Sequence, residues 1–404
     1  MPVDLHRVPL EGTRSTTLLL AFDAGARTER HEENGMAHFL EHLVFKGGEK
    51  YANHRAVNET AERMGGVLNA YTSHDLVAFH ITVRAEAADQ ALDLLTDFVG
   101  RPRLDASELD RERGVVIQEI NRSKDQPSVV AEHLIDHTAF GDHPLGRPVL
   151  GPEEHLRTFS RDAIVAFRER RWARGAAFAV GNVQHLDDAL AHELLERLPS
   201  GNGIEPYETA PEPSTERAVE QRDTNQSHLR MLYHPRIDPA DTAQRAALTV
   251  YSTLLGGSMG SRLFEEIREQ RGLCYSVWSV DHSFADLPVL QLGSGLESAK
   301  CVEAYTRMRE IVADLHANGP DDAEVERARA YAAGRRVIAF ENSGAVGRLA
   351  ATQVIVHGQP IDIAGEIAAL DAVTPDEVAA VARSIDPERL AVACVGPHSA
   401  DEFA

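Results

Sequence analysis

His38, Glu41 and His42 are the side chains in this sequence best spaced to do chemistry. They fall in Met36–Phe45, where Met36, Phe39, Leu40, Leu43 and Val44 recur at helical spacing and Gly47-Gly48 closes the run. On a helix, histidines four positions apart stack one turn above the other on a single face. Two imidazoles so placed can hold one Zn²⁺, a cation that takes nitrogen and sulfur donors. Glu41 lies beside both, where a carboxylate can accept a proton from water at the metal. At about 100° per residue, all three polar side chains fall opposite the apolar stripe. That position suits a cleft and the solvated face of an ordinary amphipathic helix equally.

A metal site that does chemistry usually has three protein ligands and one open position. A second helix, opened by the capping signal at Asp105 and running through DASELDRERGVVIQEI, supplies a candidate. Leu109, Val116, Ile117 and Ile120 form its apolar stripe, and Glu112 and Glu119, seven apart, share one flank of it. Carboxylates there can be half buried and aimed at a neighbouring helix, or simply solvated.

These elements belong to a chain of 404 residues, too long for one typical core, so two or three domains are expected. The linker composition of SGNGIEPYETAPEPST falls at the midpoint and separates an N-terminal domain (1–200) from a C-terminal one (216–404), with 201–215 between them. The two sides read as divergent copies of one unit. TTLLLAF pairs with SHLRMLY, MAHFLEHLVF with SRLFEEIREQ, and the strand AAFAVGN with LAVACVG, while two long helices follow in each half. Strands mixed with helices imply an α+β fold, each repeat an antiparallel sheet with helices packed on one face. The copies differ where it matters: only the first has the histidine pair.

A net charge of −22 argues against nucleic acid and anionic membranes as partners. No segment approaches the roughly 18–20 apolar residues that span a bilayer. Cys274, Cys301 and Cys394 are odd in number and lack metal-ligand spacing, which fits a reducing, cytoplasmic setting.

The residues quoted so far, taken together, resemble the pitrilysin (M16) family of inverted-motif zinc peptidases, which includes insulin-degrading enzyme and the mitochondrial processing peptidase. The match runs from His38-x-x-Glu41-His42, across 76 residues, to Glu119 within Glu112-Arg-Gly-Val-Val-Ile-Gln-Glu119-Ile. The resemblance implies His38, His42 and Glu119 as ligands of one Zn²⁺ per chain, Glu41 as general base and Glu112 as support for the site. It also implies that Asn69, Ala70 and Tyr71, within Gly65–Thr72, line an edge strand that pairs with a peptide substrate. Arg268 and Tyr275, within IREQRGLCYSV, would bind the scissile carbonyl. His143–Gly151 (HPLGRPVLG) resembles a family loop to which no role is assigned.

The length resembles that of the short, two-domain members such as the processing peptidase beta subunit and its bacterial relatives. Such members work as dimers, with the Arg/Tyr pair of one subunit reaching the zinc site of the other. This chain keeps both sets, which favours a homodimeric endopeptidase with a clamshell chamber over a heterodimer with a related chain. The competing expectation is a non-catalytic or partner-dependent subunit that binds peptides or scaffolds a heterodimer. The physiological substrate and the side chains preferred at the cut are not encoded in any motif.

Overall fold

The leading strand TTLLLAF is apolar at nearly every position, the pattern of a strand buried on both faces. In the structure, a computed structural model describing residues 3–201 and 206–404, it is the centre of a five-stranded sheet. That sheet comprises β1 (Asp4–Pro9), β2 (Ser15–Phe22), β3 (Val67–Thr72), β4 (Val77–Arg84) and β5 (Gly175–Gly181), in the order β1-β5-β2-β4-β3. The second sheet comprises β6 (Arg217–Gln221), β7 (Gln226–Tyr233), β8 (Cys274–Ser283), β9 (Pro288–Glu297) and β10 (Leu390–Gly396), in the order β6-β10-β7-β9-β8. The two orders are the same once the second is renumbered, so the repeat read from the sequence is a repeat of topology. Of the linker expected over 201–215, residues 202–205 lie outside the described residues.

The architecture is α+β, with two departures from the sequence reading. Each sheet is mixed: β1 pairs with β5, and β6 with β10, in parallel, while the other neighbours are antiparallel. A parallel partner needs a long crossover, and β5 and β10 each close their sheet only after the helices have intervened. Helices also cover both faces of each sheet instead of one. Along β2, Leu18, Leu20 and Phe22 enter one core while Leu19 and Ala21 enter another on the opposite face. In the second sheet, Val392 and Cys394 of β10 face one core and Ala391 and Ala393 the other.

The second face of each sheet is covered by a helix from the other half of the sequence. Helix Ser343–Ala351, capped by Asn342, brings Val346 and Ala350 onto the first sheet. Helix Pro127–Phe140, with Pro127 at its first turn, brings Ile135 and Ala139 onto the second. The compact units are accordingly Met1–Asn121 with Pro148–Glu208 and Ala339–Ile363, and Arg122–Arg147 with Thr209–Ile338 and Ala364–Ala404. Among the described residues, no helix is long and apolar enough to cross a membrane.

Two helices of the first unit carry the residues of interest. Met36–Val44 buries Phe39, Leu40, Leu43 and Val44 against β3 and β4. Ala106–Lys124 is held by Leu109, Val116 and Ile120 in the same core. Arg113 tethers that second helix, donating to the carbonyls of Leu156 and Phe159 at 2.9 and 2.8 Å.

Candidate metal site

The first turn of Met36–Val44 has no side-chain cap of its own. Buried Glu29 fills that role, accepting from the backbone N–H of Gly35 (3.0 Å) and Ala37 (2.7 Å) and from Asn34 Nδ2 (3.1 Å). Burial pushes its carboxyl up to about 8, against the pull of these donors. Gly35 turns the chain into the helix at φ +97°, and a Cβ there would stand 2.6 Å from the Leu150 carbonyl oxygen.

Helical spacing then sets His38 and His42 side by side, edge to face, their ring centres 4.6 Å apart. Glu119 of the facing helix closes on both: its Oε2 lies 3.8 Å from His38 Nε2 and 3.5 Å from His42 Nε2. Ligands about 2.0–2.1 Å from one tetrahedral Zn²⁺ stand roughly 3.3 Å apart, so Glu119 Oε2 is within about half an ångström of that spacing from each imidazole. One potential ligand atom from each residue lies within 4.8 Å of the others.

The surroundings favour the ligating form of His38 and work the other way on His42. His38 is held down to about 3, first by burial and then by the neighbouring His42, so its ring is neutral at physiological pH. Its Nδ1 is buried with no hydrogen-bond partner among the described residues. Burial would also lower His42, but Glu112, Glu41 and Glu119 outweigh it and raise that imidazole. Glu112 Oε1 lies 2.9 Å from His42 Nδ1, which fixes the ring and leaves Nε2 facing Glu119. The other oxygen of Glu112 accepts from Lys46 Nζ at 2.5 Å. Burial raises the Glu112 carboxyl, but these two partners prevail and hold it below the usual range.

Glu41, on the same helix, is raised by burial while a hydrogen bond from Thr72 Oγ1 at 2.5 Å to its Oε2 pulls it down. Thr72 ends β3, the edge strand of its sheet, so the strand that could accept a peptide also fixes the carboxylate. Of the strand residues singled out from sequence, Asn69 is exposed and its Oδ1 accepts from the N–H of Ala70. Ala70 packs against the core that carries the motif helix, and Tyr71 turns to the opposite face.

Arg268 and Tyr275 come together in the second unit. The guanidinium carbon is 5.4 Å from the Tyr275 ring centre and 4.6 Å from that of Phe264. A register shift between Cys274 and Ser276 at the start of edge strand β8 leaves Tyr275 84% exposed. In the helical turn paired by sequence with the motif helix, Leu263 and Ile267 are both buried in the core and offer no donor. Glu29, Lys46 and Thr72 were not picked out by spacing. A threonine ending an edge strand beside the motif was the one signal available for any of them.

A repeated α+β chain gathers a His-His-Glu donor set in one copy and apolar residues at the matching positions of the other, so of the two copies only the first could hold a metal there. The chain belongs to the M16 peptidase family. Residues 9–153 match the model described as insulinase (peptidase family M16), and residues 158–331 match the one described as the peptidase M16 inactive domain. An uncharacterised zinc protease of Mycobacterium bovis is 31% identical over 404 residues, covering 96% of this chain and 90% of the relative. One from Bacillus subtilis is 29% identical over 408 residues, covering 97% and 96%. Among solved structures, a peptidase M16 inactive domain from Pseudomonas fluorescens superposes with a TM-score of 0.90 at 19% identity, covering 99% of this chain and 97% of that one. A protease from Helicobacter pylori gives 0.87 at 20%, covering 98% and 97%. These two share the fold.

Proposed function

We propose that the chain is a zinc-dependent endopeptidase cleaving peptides or unfolded segments, with residues 1–200 as the catalytic repeat and 216–404 as the degenerate one. The observation that carries this reading is the convergence of His38, His42 and Glu119, with Glu112 bonded behind His42. The donor chemistry fits Zn²⁺: two imidazole nitrogens, one of them on a ring held neutral, and one carboxylate oxygen 3.5 and 3.8 Å from them. Those three residues would hold one ion per chain, which would supply Lewis-acid polarisation of a carbonyl and a water acidified towards a pKa of about 7.

The other roles fall to the chain's own groups. Glu41, oriented by Thr72, takes the proton of the attacking water at Oε1 or Oε2 and passes it to the leaving amine. The edge strand β3 binds the substrate backbone through Asn69, Ala70 and Tyr71, which favours extended or unfolded segments over folded ones. Arg268 and Tyr275, reaching over from the second copy in a homodimer, would donate to the carbonyl oxygen as it gains charge. The working form in this reading is a cytoplasmic homodimer enclosing its substrates.

The test is cleavage of a mixed peptide pool by the purified chain alone, read by mass spectrometry, with Glu41→Gln as control. The variant should retain wild-type metal content and lose nearly all turnover. Cleavage by Glu41→Gln at the wild-type rate would remove the base assignment. A metal-loaded wild type that cleaves nothing would overturn the reading of a self-sufficient peptidase.

A further inference from the structure

A second group of metal-type donors lies in the other compact unit. Cys301 opens the helix Cys301–Asn318, Cys394 lies in β10, and His398 follows that strand. Both sulfurs are fully buried and 3.9 Å apart, and one ring nitrogen of His398 is within 4.8 Å of each. Two sulfurs bound at about 2.3 Å to one tetrahedral ion stand roughly 3.8 Å apart. Thiol contact alone would account for the cysteine pair. It does not account for a buried imidazole converging on it.

That imidazole is held from two sides. Nε2 lies 2.8 Å from Ser227 Oγ, and Nδ1 lies 3.4 Å from Glu402 Oε2. Ser227 donates onward to Ser298 (2.9 Å), and Ser298 to the Thr224 carbonyl (3.0 Å). Ser227 has no solvent exposure and its proton is committed to Ser298, so the Ser227–His398–Glu402 array is no nucleophile. Gly396 keeps the space beside it open, since a Cβ there would stand 2.4 Å from Ser227 Oγ. Pro397 and Ser399 are exposed, so the group lies just beneath the surface.

We propose that Cys301, Cys394 and His398 form a second cation site, for Zn²⁺ or an ion of similar softness. Thiolate and imidazole are the donors such ions select. One ring nitrogen exchanges its present partner for the ion, and the other keeps its hydrogen bond as the outer support. Binding releases the two thiol protons to solvent. Two thiolates, one divalent cation and a neutral imidazole then sum to zero, leaving no net charge in the core. The site ties the start of the Cys301–Asn318 helix to the chain terminus after β10, and it is a structural role independent of the proposed peptidase chemistry.

The test uses Co²⁺ on the full chain, stripped of metal and kept under reductant. The His38/His42/Glu119 set contains no sulfur, so thiolate-to-cobalt charge-transfer absorption that is lost in Cys394→Ser reports the second site and not the third thiol, Cys274. The expected result is two equivalents of Co²⁺ per chain, with charge-transfer absorption saturating at one of them. That absorption should persist in Glu119→Ala, which empties the first site. It should vanish in Cys394→Ser, which keeps the remaining equivalent. His398→Gln, with both thiols intact, should weaken the sulfur-bound ion at least about tenfold. If Cys394→Ser fails to fold, the wild-type titration and His398→Gln still decide. No charge-transfer absorption at saturating Co²⁺ in the reduced wild type, or an affinity for the sulfur-bound ion unchanged in His398→Gln, would overturn the proposal. Cobalt bound without sulfur absorption leaves the peptidase site intact, so the two readings fail separately.

Discussion

Replacing Glu112 by Gln alters one terminal atom and one charge behind His42. Glu112 lies 2.9 Å from His42 Nδ1 and 2.5 Å from Lys46 Nζ, and its side chain is 5% exposed. Its carboxyl is held below the usual range by those partners, so at neutral pH it carries a full negative charge against the ring. That charge keeps the Nδ1 proton in place and makes Nε2 a better donor to a metal. Glutamine preserves the shape and one hydrogen bond but removes the charge. Outer partners of this kind are worth about 10–100-fold in metal affinity, or about 1.4–2.8 kcal/mol. The cost to the fold should be smaller, about 1 kcal/mol, because Lys46 is partly exposed and can be hydrated when unpaired. Competition with a chromogenic chelator gives the zinc affinity, and thermal melts of the metal-free proteins give the fold control. Zinc affinity within about threefold of wild type, with unchanged melts, would refute the argument that Glu112 supports His42.

Thr72→Val removes the donor to Glu41 without touching a metal donor; kcat should fall roughly tenfold at unchanged zinc content, and an unchanged kcat would separate Thr72 from the base. His42 is raised above 6.5 in the metal-free chain, so its proton stabilises that form below 6.5, and this contribution is lost as pH rises through the folded value. Zinc needs the neutral ring, so the zinc-induced rise in melting temperature should shrink as pH falls through that window. Melts with and without zinc from about pH 8 to about pH 5.5 check this, and a constant difference would contradict it. Glu29→Ala leaves the N–H groups of Gly35 and Ala37 and Asn34 Nδ2 without the carboxyl oxygens they donate to. The cost should be about 2–3 kcal/mol, a fall of roughly 5–10 °C in the first melting transition, and a change under about 2 °C would show that the helix start is satisfied otherwise.

Much of the candidate site was legible because its parts are local. A spacing of four on an apolar-striped helix brings two imidazoles together on one face whatever the rest of the chain does. The same stripe argument placed Glu112 and Glu119 on one flank of the later helix, and the structure turns that flank towards His42. Thr72 and Lys46 were not legible as partners, because each reaches its carboxylate through the register of an edge strand or the end of a helix turn. Glu29 reads as one more acidic residue in a loop until the backbone folds Gly35 and Ala37 onto it.

The sequence by itself determined the periodic elements, the repeat and the asymmetry between its copies, since these depend on which residues follow one another. Only the tertiary structure decided which surface each element covers. Helices Pro127–Phe140 and Ser343–Ala351 each lie on the sheet of the opposite half, and an apolar helix face carries no record of the sheet that will bury it. The parallel pairing of β1 with β5 and the meeting of Cys301 with Cys394 and His398 are of the same kind. Hydrophobic burial is non-directional, so it selects partners only when the whole chain closes on its cores.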